Sequence, residues 1–263
     1  MSIYWKLFKV KIKEVIEYRV SFINDTLIQL FAYMVTFINI TLLLNQIDSL
    51  DGWTYKEILL LWILNVISYG FAGMFVYSGC KQLETHIQHG TFDYYLTKPL
   101  SSFWYYMMKN INTTFIFHIC FSALVLIWIL NSMNAISSMN KLFEIVILIA
   151  CAICIQSCIM IIFAIPSFWI VKSSDLVNTA IYGFRNFNTY PMSIYSKCIR
   201  GLLTFTIPYA FVSYYPAMYI LDKKIGIIGN HIVITELSVT TTIVLVATML
   251  WKVGIKKYSS TGN

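Results

Sequence analysis

The sequence predicts an all-α polytopic membrane protein: six transmembrane helices, an amphipathic interfacial helix before them, and both termini in the cytoplasm. Three observations carry that prediction. Five stretches, 26–47, 58–80, 110–140, 145–171 and 201–221, run without a Lys, Arg, Asp or Glu. A helix needs about 20 apolar residues to cross the ~30 Å hydrocarbon layer, so each is long enough to span it. The composition agrees, with 58% hydrophobic and only 12% charged residues in a chain of 263. Finally, the basic residues divide fifteen to four when successive connections are summed alternately. The positive-inside rule places the richer set, and with it both termini, in the cytoplasm. Runs of this length are too long for barrel strands, and helices satisfy their own backbone groups in lipid.

In chain order, residues 3–18 read as the amphipathic helix. Lys6, Lys9, Lys13 and Glu17 share one face, and Trp5, Phe8, Ile12 and Val15 share the other. Such a helix lies in the interface with its basic side toward anionic headgroups. No cleavable signal peptide is expected, because the short apolar core and small-residue cleavage site are missing. The spans are placed at about 22–46, 57–80, 110–131, 142–170, 201–221 and 232–252, the last carrying the single carboxylate Glu236. Residues 1–263 then form one transmembrane domain with no separate soluble unit.

The outward connections 48–57 and 131–140 are short and turn-like. Most of the charge lies in the inward ones, which include 172–200, a segment read as too polar to span. Gly70, Gly73 and Gly79 in the second span allow close helix packing, at a subunit interface or within the chain. The fifth run holds Pro208 and Pro216 among tyrosines, which suggests either a kinked span or a helix that breaks and re-enters.

Polar residues within the spans are few. Asn39, Asn65, His118 and Gln156 are candidates to line a path for a transported molecule, against the commoner role of hydrogen bonding between helices. Asn112 and Thr240–Thr242 are further polar positions. Cys151, Cys154 and Cys158 recur on one helix stripe and read as small apolar packing residues rather than ligands. No metal site is expected.

The segment 81–100, KQLETHIQHGTFDYYLTKPL, carries the most information. Gly90 reads as a helix stop, Asp93 or Thr91 as a cap for a second short turn, and Pro99 as the end of that turn. The result is a compact knob offering Glu84, His86, His89, Asp93 and Lys98 for docking on a protein. Glu84, His86 and His89 do not converge on one helix face, which argues against metal binding.

The phrase IQHGTFDYYLTKPL at 87–100 resembles the cytoplasmic element of type-2 ABC transporter permeases. TIPYAFVSYYPA at 206–217 and the tail WKVGIKKYSSTG at 251–262 agree with it, in the same order along the chain. The resemblance implies a six-helix permease that pairs with a second, identical or homologous permease and with two cytoplasmic ATPase subunits. By motif, Glu84, His86, Gly90, Thr91, Asp93, Lys98 and Pro99 would form the coupling element seated on the ATPase.

The chain has no phosphate loop of the form G-x-x-x-x-G-K-[ST], so ATP and Mg are expected on the partner ATPase, with no cofactor and no catalytic residue on this chain. The expected function is the membrane subunit of an ATP-driven exporter in a bacterial plasma membrane. A lipid-modifying intramembrane enzyme would need clustered carboxylates or an activated nucleophile in the bilayer, and a secondary carrier would need an ion relay. Neither pattern is present. The net charge of +7 is accounted for by the inward connections and by membrane lipids, with no nucleic-acid partner expected.

Overall fold

The computed structural model describes residues 3–46, 49–170, 172–223 and 231–259. Lys224 in the charge count and residues 260–262 of the tail motif lie outside these. The described chain is helical, its only β pairing an isolated bridge between Leu50 and Trp53.

Helix α1 (Ile3–Glu17) meets α2 (Arg19–Gln46) at Tyr18. Leu7 and Phe8 of α1 pack against the bundle, while Trp5, Ile12 and Ile16 stay exposed. The apolar face is therefore split, part held by protein and part left for the interface.

Helix α3 (Tyr55–Ala72) passes through one π-helical turn, Gly73–Tyr77, into α4 (Ser78–Gln88) without a break. These 34 residues reach about 51 Å, some 20 Å more than the hydrocarbon layer needs. The first half of the knob is thus the end of the second span, not a separate short helix. α3 is apolar on every side and is buried on every side, as such a helix must be. The glycines along this continuous helix sit against other parts of the chain: Gly70 on His118 and Ile119, Gly73 on the Phe115 ring, and Gly79 on Tyr106 and Met107. This decides between the two roles expected for them, in favour of packing within the chain.

After the bend come α5 (Asp93–Leu96) and α6 (Ser102–Lys109), and then a break at Asn110–Asn112 where a continuous span was expected. Asn112 caps the following turn by accepting from Thr114 N at 3.0 Å. The membrane-length helices α7 (Ile116–Ser132) and α8 (Met139–Ala164) follow. The last helix, α13 (Ile232–Lys257), packs along α8.

The two ends of the bundle are fixed by contacts. The proximal end holds α1, the knob and Tyr258, whose ring lies 5.3 Å from that of Phe92. The distal end is tied by Lys223, which reaches Glu57 Oε2 at 2.9 Å and Gly52 O at 3.2 Å, and by Lys141 on Asp222 at 2.7 Å. Both described chain ends are therefore at the same end of the bundle.

The region between α8 and α13 departs from the sequence reading. Five helices are long and apolar enough to cross a membrane among the described residues, and 201–221 is not one of them. It breaks at Ile207 and Pro208, whose backbones leave the helical region, and the chain restarts as α12 (Tyr214–Ile220). Pro208 offers no N–H and forbids the previous turn from continuing, whereas Pro216 sits in the first turn of α12, where proline is tolerated. The polar 172–200 segment instead enters the bundle. It forms α9 (Ser174–Asn178), a π-helical stretch Thr179–Phe184 and α10 (Arg185–Phe187) as one continuous helix. Asn65, about 15 Å along α3 from its distal start, donates to the Arg185 carbonyl at 3.1 Å. Residues 174–187 therefore climb from the proximal end to mid-bundle. In α11 (Lys197–Gly201), Arg200 comes within electrostatic reach of Tyr214, whose ring packs on Trp53 at the distal end. Tyr209, between α11 and α12, is fully buried beside Gln156. The chain from 197 to 220 is a hairpin that dips in from the distal end and returns.

Candidate functional site

Two features stand out, the knob at the proximal end and a polar cavity at its back. In the knob, Gly90 adopts φ +66°, the left-handed conformation that the sequence led us to expect. Gly90 N bonds to Ile87 O at 3.1 Å and Phe92 N to His86 O at 3.1 Å, closing the end of α4 and turning the chain. His86 Nδ1 pairs with the Thr91 hydroxyl at 2.8 Å across this bend. Thr91, Lys98 and Pro99 are exposed and Asp93 half-buried. Lys98 and Lys109 both lie over the exposed Tyr94 ring, at 4.7 and 4.2 Å. The Tyr94 hydroxyl is held below the usual tyrosine range by its hydrogen bond with Tyr105 and by the positive charge of Lys109.

Phe92 was not singled out from the sequence, yet it anchors the knob. It is completely buried, and its ring meets those of Tyr106, Phe168 and Trp251 at 5.6, 5.5 and 6.5 Å. These come from α6, from the end of α8 and from α13, so the bend is bolted to three elements at once.

Glu84 is a correction. Its carboxylate does not present charge outward but turns inward, accepting from Ser173 N at 2.6 Å, Ser174 N at 2.5 Å and Ser173 Oγ at 3.2 Å. It caps the helix that begins with α9, as a carboxylate at a helix N-terminus should. The residues Glu84 and His86 are thus committed to different partners.

The cavity, of about 300 Å³, lies between α2, α3, the start of α7 and the 174–187 helix. Arg185 lines it, its guanidinium carbon 3.7 Å from the centre of the Tyr69 ring. Tyr182 is hydrogen-bonded to Tyr77 at 2.8 Å, and Lys81 donates to Tyr77 at 3.2 Å. His118 lines the same space, and its Nδ1 is hydrogen-bonded to the Tyr33 hydroxyl.

The four expected pathway residues separate. His118 lines the cavity, and Asn65 holds Arg185 in place from behind. Gln156 is buried against Tyr209 at 3.4 Å, outside the cavity lining. Asn39 is exposed on α2, away from both. Thr240, Thr241 and Thr242 bond back to carbonyls four residues earlier on their own helix. Cys151 and Cys158 are buried and Cys154 exposed, so the stripe does not act as one unit. Arg185 itself was counted only as a loop charge; its signal was the unusual neighbourhood of Arg185, Asn186 and Asn188 between aromatic residues.

A family model described as "ABC-2 family transporter protein" matches residues 30–262, which includes the knob, the hairpin at 197–220 and the cavity lining except Asp25, Ile28 and Gln29 of α2. The chain belongs to the ABC-2 transporter family. It is a multi-pass membrane permease component of an ABC transporter, the transport subunit rather than a free-standing enzyme. No curated protein and no solved structure matches it.

Proposed function

We propose that this permease is the membrane half of an ATP-driven exporter in a bacterial plasma membrane, working with a second permease, identical or homologous, and two cytoplasmic ATPase subunits that carry ATP and Mg. The observation that carries this reading is the knob: a buried helix continued about 20 Å beyond the apolar layer, ended by a left-handed glycine, and seated on the bundle through Phe92. Such a projection has no role in spanning, and a rigid lever that meets three helices is what transmission from a soluble motor needs. Glu84 extends the lever, since it links the end of α4 to the helix carrying Arg185. Gly90, Thr91, Asp93, Lys98 and Pro99 would meet the ATPase, with His86 bracing the bend from within.

The test is biochemical. The purified chain alone should hydrolyse no ATP, and the same chain co-purified with its partner ATPase should show hydrolysis that depends on the knob. Turnover by the isolated chain would sink the assignment.

With the proximal end cytoplasmic, the hairpin at 197–220 opens to the outside, so Lys197 and Arg200 move from the inner to the outer count. Native Cys198 is exposed and serves as the reporter. With the other five cysteines replaced, a membrane-impermeant maleimide added to sealed cells should label Cys198 and should spare a cysteine placed at position 90. Labelling only after lysis would restore 201–221 as a plain fifth span.

A further inference from the structure

The polar cavity does not stand alone. A second, apolar groove of about 420 Å³ continues it along the same seam, lined by Tyr33, Met34, Phe37, Trp62, Phe121 and Trp128 among others. All three long helices order the two spaces the same way. On α2 the polar cavity takes Asp25–Gln29 and the groove Leu30–Ile38; on α3 they take Tyr69 and Leu59–Trp62; on α7 His118 and Phe121–Trp128. The joint is the hydrogen-bonded pair of Tyr33 and His118. From Asp25 to Ile38 the seam is about 20 Å long at 1.5 Å per residue.

The chemistry of the two parts differs sharply. The groove presents almost no polar surface. The cavity holds Arg185, and no ion pair or side-chain hydrogen bond uses its guanidinium among the described residues. One flat face of that guanidinium is against Tyr69, which leaves its in-plane N–H groups for an acceptor. A forked cation with no acceptor, half-buried in a membrane bundle, is costly unless something anionic visits it. Asp25 also lines the cavity, on α2, and makes no ion pair with Arg185. It repels an anion from its own wall and so biases an anionic head toward the Arg185 side.

We infer that this seam binds an amphiphile: an oxyanion head, carboxylate or phosphate, on Arg185, and an apolar tail in the groove between α2 and α7. The site is the place where cargo enters the permease, and this identification as cargo, unlike the binding itself, rests on the transport reading given above. The seam faces the side of α2 that exposes Phe31, Met34 and Ile38, so a ligand can reach it from within the bilayer. The oxyanion belongs either to a bilayer phospholipid or to a free amphiphilic acid.

Trp62 and Trp128 in the groove supply the readout. The full chain in neutral detergent is titrated with ω-bromoundecanoate, with ω-bromoundecyl phosphate and, as the uncharged control, with ω-bromoundecanol, whose bromine quenches nearby tryptophan fluorescence. The two anions should quench saturably at concentrations roughly tenfold or more below the alcohol, since charge-assisted bonds are at stake. Arg185→Gln should abolish that preference, and Arg185→Lys, which keeps charge without the fork, should retain part of it. Competition by phosphatidylglycerol that relieves quenching assigns the head to the lipid source; lack of competition, with saturable quenching by the acid, assigns it to a free amphiphile. Equal quenching by acid and alcohol in the unmodified chain overturns the inference, with no variant needed, and so does an unchanged preference in a folded Arg185→Gln chain. The measurement uses no ATP, so its failure leaves the transport assignment to be judged by co-purification.

Discussion

Phe92→Ala should destabilise the permease by about 3–5 kcal/mol, the usual cost of emptying a fully buried phenylalanine site. The residue is 0% exposed, and its ring is enclosed by Tyr95, Tyr106, Phe168, Trp251 and Tyr258. Those partners come from the bend itself, α6, the end of α8 and α13, and they cannot all close in on the vacancy together. The effect should extend beyond stability under the proposed coupling role, because the knob would lose its seat on the bundle. Tyr94→Ala is the matched control. Its ring is exposed, so its melting temperature should move far less than that of Phe92→Ala, while assembly with the ATPase weakens. Thermal unfolding of both variants in detergent, read beside co-purification, separates the two roles. Unchanged melting of Phe92→Ala would mean the knob is not seated as described.

The contrast between these neighbours shows what a sequence alone can and cannot reveal. Gly90 was legible, because a positive φ is a local requirement and glycine meets it locally. Phe92 was not, because nothing within its own segment says that Phe168 and Trp251 will converge on it from far along the chain. The five long helices were legible from length and composition, since lipid imposes the same demand on every exposed turn.

That demand misleads where a segment is shielded by protein. The segment 174–187 carries Asp175, Asn178, Arg185 and Asn186 and reads as a loop, yet it enters the bundle, where the cavity receives the Arg185 side chain, Asn65 pairs with its carbonyl and Glu84 caps the helix start. The run 201–221 has the opposite character. It is apolar enough to span, but Ile207 and Pro208 end its first helix, and the buried Tyr209 makes a turn inside the bundle. Among the pathway candidates, periodicity could not say which face of α2 would look inward. Tyr33 lines the groove and Asn39, six residues on along the same helix, lines neither space.

Glu84 is where the local and the distant readings can be told apart by experiment. A docking charge and an internal cap make different predictions for the same substitution. If Glu84 met the ATPase, Glu84→Ala would loosen the complex. As a cap, it accepts two backbone N–H groups and a hydroxyl from Ser173 and Ser174, and its loss leaves those donors uncompensated at a helix start. The expected cost is about 1–3 kcal/mol, falling on the helix that ends at Arg185 and its cavity. The ATPase should therefore still co-purify with Glu84→Ala and hydrolyse ATP at its basal rate. What should be lost is the stimulation of that rate by transported ligand, because the carboxylate that ties the end of α4 to the start of the Arg185 helix has been removed. Glu84→Gln, which keeps an acceptor but not the charge, should fall between the two, and Glu84→Lys should be the most severe. The ratio of stimulated to basal hydrolysis across the three variants, with subunit stoichiometry as the control, is the measurement. Loss of the ATPase from the complex, in step with loss of charge at position 84, would return this residue to the docking surface and leave Phe92 as the connection between knob and bundle.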